Sequence, residues 1–232
     1  MISPRERLIV ALDVSSAGEA QKITGMLGDS VQTYKVGMQL YTALGPPIVR
    51  DLVAAGRKVF LDLKYHDIPN TVSAAVREAA QLGASMLTVH ASGGTKMLQA
   101  AVQAAGEQSA APQVLAVTVL TSMNDDDLHK IGWQGHVEDQ VLRLASMALK
   151  AGCAGVVSSA HELKTLRSKL GTEFVAVTPG VRPAGSAHGD QARVVTPAEA
   201  IAAGATHIVV GRPITAAASP TRELENILQQ IA

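Results

Sequence analysis

The chain has 232 residues, with 20 Lys+Arg against 20 Asp+Glu, one cysteine, 47% hydrophobic residues and 17% charged residues. That balance excludes a disordered chain, which needs low hydrophobicity and high net charge, and the length suits one α/β barrel domain over residues 1–232. Zero formal charge with 3% aromatic residues argues against a nucleic-acid partner, a lone cysteine suits a reducing cytoplasm, and no apolar run reaches the ~20 residues of a membrane span.

The first apolar run, Leu8-Ile9-Val10-Ala11-Leu12, is short and ends on Asp13. That is too brief for a signal peptide and reads as a strand, Leu8–Asp13. Ser16-x-x-Glu19 then opens a helix as a capping box. Further strands are expected at Val31–Val36, Lys58–Leu63, Ser85–His90, Val114–Thr118, Gly155–Ser158, Phe174–Thr178 and His207–Gly211. They are short and β-branched, and most precede an Ala-rich helical stretch. Ala55-Gly56, Leu82-Gly83, Ala151-Gly152 and Ala203-Gly204 close helices, where glycine takes the left-handed conformation cheaply. Asp125-Asp126-Asp127 after Asn124 reads as a helix start rather than a calcium loop. Cys153 reads as a small core residue at a strand start. Pro179–Val195, with Gly180, Gly185 and Gly189, is a long loop of the kind that serves as a lid. Thr196-Pro197-Ala198-Glu199 starts another helix.

Eight βα units of about 29 residues each match one crossover repeat. Strands flanked by helices pair in parallel with both sheet faces buried, which predicts a closed (β/α)₈ barrel. An open doubly wound sheet is the alternative, but the first strand–helix turn, Asp13–Gly18, lacks G-x-G-x-x-G.

A barrel places its active site at the C-terminal ends of its strands. The polar residues there are Asp13, Lys35, Asp62, Lys64, Asp67, His90, Thr118, Thr121, Ser122, Arg182, Gly211 and Arg212. Asp62 and Lys64 share a face because side chains alternate along a strand. Two unit charges at ~4 Å attract by about 4 kcal/mol at an effective dielectric near 20. Such a row offers fixed charges without a metal, or merely an ion-pair ladder closing the barrel. Gly211-Arg212-Pro213 after the last strand, with Gly180-Val181-Arg182 after the seventh, suits a phosphate through backbone amides and guanidinium. His66 could be a base or a packed ring, and His90 a core residue. His129, His136 and His161 fall on surface-like sequence. No histidine or cysteine spacing suggests a metal site. Trp133 suggests no role.

The run Asp62-Leu63-Lys64-Tyr65-His66-Asp67-Ile68-Pro69-Asn70-Thr71 resembles the signature of the orotidine 5′-phosphate decarboxylase family, bacterial type. Val10–Asp13, Tyr34–Gly37, Val117–Met123, Thr178–Pro183, Gly189–Gln191 and Val209–Pro213 agree with it in order and spacing. The resemblance implies a (β/α)₈ TIM barrel of the ribulose-phosphate-binding type. It implies decarboxylation of orotidine 5′-monophosphate to UMP in pyrimidine biosynthesis, without metal or organic cofactor, by a cytoplasmic homodimer. On this likeness Asp13 would bind ribose hydroxyls, and Lys35 would join the charged row and reach the ribose. Asp62 would face the substrate carboxylate, and Lys64 would protonate C6. Asp67, Ile68 and Thr71 would reach the neighbouring subunit's site. Thr121 and Ser122 would meet the pyrimidine, while Gln191, Gly211 and Arg212 hold the phosphate beside Arg182. Sugar-phosphate barrels with Mg²⁺ and an enediolate intermediate share Asp-x-Lys-x-x-Asp and form the rival reading. A non-catalytic binder on the same barrel is the third.

Overall fold

Eight short apolar segments pair edge to edge, each with its neighbour in sequence. In the computed structural model, which describes residues 2–183 and 195–232, they are β1 (Leu8–Ala11), β2 (Thr33–Gly37), β3 (Lys58–Tyr65) and β4 (Met86–His90). Then follow β5 (Gln113–Val117), β6 (Gly155–Val157), β7 (Val175–Thr178) and β8 (His207–Val210). All pair in parallel, and β8 returns to β1 through Leu8↔Ile208, Ile9↔Val209 and Val10↔Val210, closing the barrel. Every strand expected from the sequence is present, its ends within two residues of the expected ones. The expected open-sheet alternative is thereby set aside.

Two apolar layers follow from the two faces of each strand. Ile9, Ala11, Phe60, Met86, Leu115, Val177 and Val209 point inward and fill the barrel. Their strand neighbours, such as Leu8, Val10, Leu61 and Leu87, point outward into the larger core beneath the helices. The helices present matching stripes. Val137–Lys150 buries Val137, Gln140, Val141, Leu144, Ala145 and Ala148, the i, i+3, i+4 spacing of one helical face. Cys153 lies in this outer core as a free thiol, and burial pushes its pKa up to about 12. Trp133, which suggested no role, packs partly buried against the same core.

Helix ends obey the local signals. Thr196 and Glu199 form a reciprocal capping box at Pro197–Ala202, as Asn124 and Asp127 do at Asp125–Lys130, so the acidic run begins a helix. Ser16 accepts from the Glu19 N–H, while the Glu19 carboxylate accepts a hydrogen bond from the Ser16 hydroxyl instead of completing the backbone half of the box. Gly56, Gly83, Gly152 and Gly204 all have positive φ at their helix–strand junctions. No helix among the described residues is long and apolar enough to cross a membrane.

Candidate active site

Parallel strands open their C-terminal ends on one rim, so the two-residue period decides what each strand shows the barrel's centre. Apolar inward residues give way there to polar ones on three strands, Ala11 to Asp13, Phe60 to Asp62 and Met86 to Thr88, while Val209 gives way to Gly211. The rim encloses a cavity of about 300 Å³ whose polar lining includes Asp13, Lys35, Asp62, Lys64, Thr121, Arg182 and Arg212. Its floor and walls are Ala11, Phe60, Val157, Val181 and Val209.

Two ion pairs stand in this cavity. Lys35 Nζ donates to Asp13 Oδ1 at 2.8 Å, and Lys64 Nζ donates to Asp62 Oδ2 at 2.9 Å. The second pair is well shielded, with the side chains of Lys64 and Asp62 25% and 14% exposed. A glycine makes room for the first: a Cβ on Gly37 would lie 2.9 Å from Lys35 Nζ, whereas one on Gly211 would meet Asp13 Oδ2 at an ordinary contact distance of 3.5 Å. Lys64 also has an uncommon backbone: its φ of +55° is the one positive value on a non-glycine among the described residues. It falls where β3 breaks register with β4, between the pairs Leu61↔Leu87 and Tyr65↔Val89.

The opposite wall is cationic. Arg212 follows Gly211 at the end of β8, and Arg182 follows the β7 end, held by its N–H to the Val195 carbonyl at 2.9 Å. Burial, and then the like charge of Arg212, lower the Arg182 pKa from the usual guanidinium range. Two guanidinium groups close enough to feel each other suit a multivalent anion.

The expected site residues divide into three groups. Asp13, Lys35, Asp62, Lys64, Thr121, Arg182, Gly211 and Arg212 meet in the cavity. Ser122 is exposed beside Thr121 and outside the lining, and Asp67, Ile68 and Thr71 lie exposed beyond the β3 end, with Ile68 67% exposed. Asp67 Oδ1 accepts the Ile68 N–H at 2.6 Å. Gln191, and with it most of the expected lid between 179 and 195, lies outside the described residues.

His66 and His90 face each other with ring centroids 5.3 Å apart. Burial, then His66 and Lys64, lower the His90 pKa below the usual imidazole value at the edge of the charged row. His129 and His136 are exposed, the latter bound to Asp125 Oδ2 at 2.7 Å, and His161 is exposed too. Among the described residues no group of three or more His, Cys, Asp and Glu side chains is placed to hold a metal ion.

Two residues escaped the sequence reading of the site. Thr88, fully buried, accepts the Lys64 N–H at 2.9 Å and donates to Asp62 Oδ1 at 3.0 Å. Its signal was available: a hydroxyl at an inward position of Met86–His90, where apolar residues belong. Gly37 was noticed only within a motif, not as the space for Lys35.

A family model described as "Orotidine 5′-phosphate decarboxylase / HUMPS family" matches residues 6–227. A protein of Idiomarina loihiensis named orotidine 5′-phosphate decarboxylase is 51% identical over 225 residues, covering 97% of each chain. One of the same name from Moorella thermoacetica is 48% identical over 233 residues, covering 98% of this chain and 92% of the other. The crystal structure of orotidine 5′-phosphate decarboxylase from Lactobacillus acidophilus is similar with a TM-score of 0.87 at 40% identity, covering 97% of this chain and 98% of that one. The chain belongs to the orotidine 5′-phosphate decarboxylase / HUMPS family.

Proposed function

We propose that this protein converts orotidine 5′-monophosphate to UMP and CO₂ in pyrimidine biosynthesis, with Lys64 as its proton donor. The observation that carries the reading is the shielded Lys64–Asp62 pair facing Arg182 and Arg212 across one cavity. A fixed ammonium and a phosphate-sized cationic wall thus stand at opposite ends of a nucleotide-sized space.

Loss of CO₂ breaks the bond at C6 and leaves its electron pair on carbon in the ring plane, where the π-system cannot simply delocalise it. Stabilisation must then come from a charge already in position, and the Lys64 ammonium supplies it. The same group gives its proton to C6 and recovers one from solvent, so no second acid is needed. Asp62 holds Lys64 and stands where the substrate carboxylate would arrive; its repulsion is released when CO₂ leaves. Asp13 and Lys35 take the ribose hydroxyls. Thr121 and Ser122 meet the pyrimidine. Arg212, Gly211, Gln191 and Arg182 take the phosphate, whose binding energy serves a reaction it does not touch.

The reading extends to assembly. Asp67, Ile68 and Thr71 complete the neighbouring subunit's site in a homodimer, which accounts for an exposed isoleucine beside the β3 rim. Residues 1–232 act as one catalytic barrel in the cytoplasm, where the lone thiol of Cys153 stays reduced. The reaction takes no metal or organic cofactor.

The test is the ultraviolet absorbance change of orotidine 5′-monophosphate with purified protein in excess EDTA. Conversion to UMP is expected, and Lys64→Ala should abolish it while still binding UMP. Folded protein that leaves the nucleotide unchanged refutes the proposal. Turnover of sugar phosphates with Mg²⁺ would then favour the second activity class within the family.

A further inference from the structure

We propose that Thr88 is a positioning residue for this reaction. Its hydroxyl holds the Lys64 backbone in its left-handed turn and decides which oxygen of Asp62 remains for the Lys64 ammonium. The inference rests on the reading of the site as a decarboxylase.

The register shows why a hydroxyl is needed. Leu61 pairs with Leu87 and Tyr65 with Val89. Asp62, Leu63 and Lys64 therefore stand opposite Thr88 alone, and the ladder between β3 and β4 is interrupted there. The Lys64 N–H goes to Thr88 Oγ1 at 2.9 Å, a side chain standing in for a strand carbonyl. Lys64 needs such a tether because a left-handed backbone on a long side chain persists only when its surroundings over-determine it.

A threonine hydroxyl has a single proton. Its lone pair takes the Lys64 N–H, which leaves that proton for Asp62 Oδ1 at 3.0 Å. Asp62 Oδ2 then accepts from Lys64 Nζ at 2.9 Å. The chain of bonds begins on the Lys64 backbone and ends on the Lys64 ammonium. It fixes the carboxylate plane and aims the charge that the reaction uses. Thr88 has no exposed surface, so no water replaces its hydroxyl without rearrangement.

The experiment compares Thr88→Val, Thr88→Ala and Thr88→Ser with wild type. Val keeps the shape and removes the hydroxyl. Ala and Ser lack the same methyl and differ only in the hydroxyl, so that pair decides if the Val variant fails to fold. Val and Ala should lower kcat by about 10- to 100-fold, the effect of one hydrogen bond to a charged group, while Ser stays within about threefold. UMP affinity should stay within about threefold in all of them, because UMP lacks the carboxylate. In ligand-free protein the Lys64 amide should exchange with solvent faster in Ala than in Ser. Equal kcat in Ala and Ser overturns the proposal. Wild-type protein inactive on the nucleotide refutes the functional reading instead. The amide-exchange comparison then decides alone whether Thr88 holds Lys64, equal rates counting against it.

Discussion

Gly37 ends β2 and leaves room for the Lys35 ammonium, so Gly37→Ala probes the charged row without touching a charge. The added Cβ would stand 2.9 Å from Lys35 Nζ and 3.6 Å from Asp13 Oδ1. The backbone there, φ −93° and ψ −178°, is open to any residue, so the variant tests space and not dihedral strain. The obstacle is the tip of a flexible side chain, and Lys35 yields before the barrel does. An ordinary contact of ~3.4 Å requires Nζ to retreat by ~0.5 Å. Taken along the Lys35–Asp13 axis, that lengthens a 2.8 Å pair to ~3.3 Å. At an effective dielectric of ~20 the attraction falls from about 6 to about 5 kcal/mol. A loss of about 1 kcal/mol is about fivefold in kcat/KM if the pair positions the ribose. Steady-state kinetics and a thermal melt measure both sides. The melting temperature should fall by no more than about 4 °C. Gly25→Ala, in the helix Ala17–Leu27 where nothing lies within 4 Å of the new Cβ, is the control and should leave kcat/KM unchanged. A Gly37→Ala enzyme with wild-type kcat/KM, or one that melts more than about 5 °C lower, refutes the reasoning.

Gly155→Ala should be far more damaging to the fold, because its Cβ would sit 1.8 Å from the Val175 carbonyl oxygen and part β6 from β7. A cost of about 3 kcal/mol lowers the melting temperature by about 6–12 °C, and an unchanged melt counts against it. His207 carries a pH dependence: burial, then Arg7 and Lys58, hold its pKa down at about 4 against an ordinary 6.5. The folded chain thus binds fewer protons there than the unfolded chain, so this stability is complete above pH 6.5 and is lost as pH falls to 4, at most about 3 kcal/mol. Urea titrations at both ends of that window should show His207→Gln losing less stability on acidification than wild type; equal losses reject the assignment. For the shared site, mixing inactive Lys64→Ala and Asp67→Ala chains should restore about a quarter of wild-type activity, since half the dimers are mixed and each has one whole site. Subunit exchange without recovery argues against it.

The barrel was legible because its signals are local. Four helix–strand junctions carry a glycine that proves to need positive φ, and eight β-branched runs recur at the length of one crossover unit. The rim charges were legible because a strand has a period of two: Asp62 and Lys64 had to share a face. The Thr88 hydroxyl left a trace as a polar residue at an inward position, but its bonds to Lys64 and Asp62 did not, since they depend on the break between β3 and β4, and a register shift belongs to two strands at once. The Gly37 space was hidden for a like reason. Gly37 pairs with Asp62 across β2 and β3, but the atom it accommodates belongs to Lys35, two residues back on its own strand. Asp67, Ile68 and Thr71 lie exposed outside the cavity of a single chain.

On the proposed mechanism, the division of labour around the cavity follows from what the reaction asks of each part. A carbanion localised in the ring plane exists only beside a charge already in place, and placement is best secured on strands. Lys35, Asp62, Lys64 and Thr88 all lie within strands, and Asp13 lies two residues past one. The phosphate end faces a different demand, because the nucleotide must enter and leave. Arg182 accordingly sits on the connection after β7, and Arg212 just past the end of β8. The left-handed backbone of Lys64 costs about 1–3 kcal/mol, held in place by the bonds through Thr88. That cost is small beside the ~8 kcal/mol or more by which enzymes lower their barriers. An undistorted β3 would keep its ladder with β4 and lose the direction of its ammonium, a poor exchange where the proposed chemistry depends on one aimed charge.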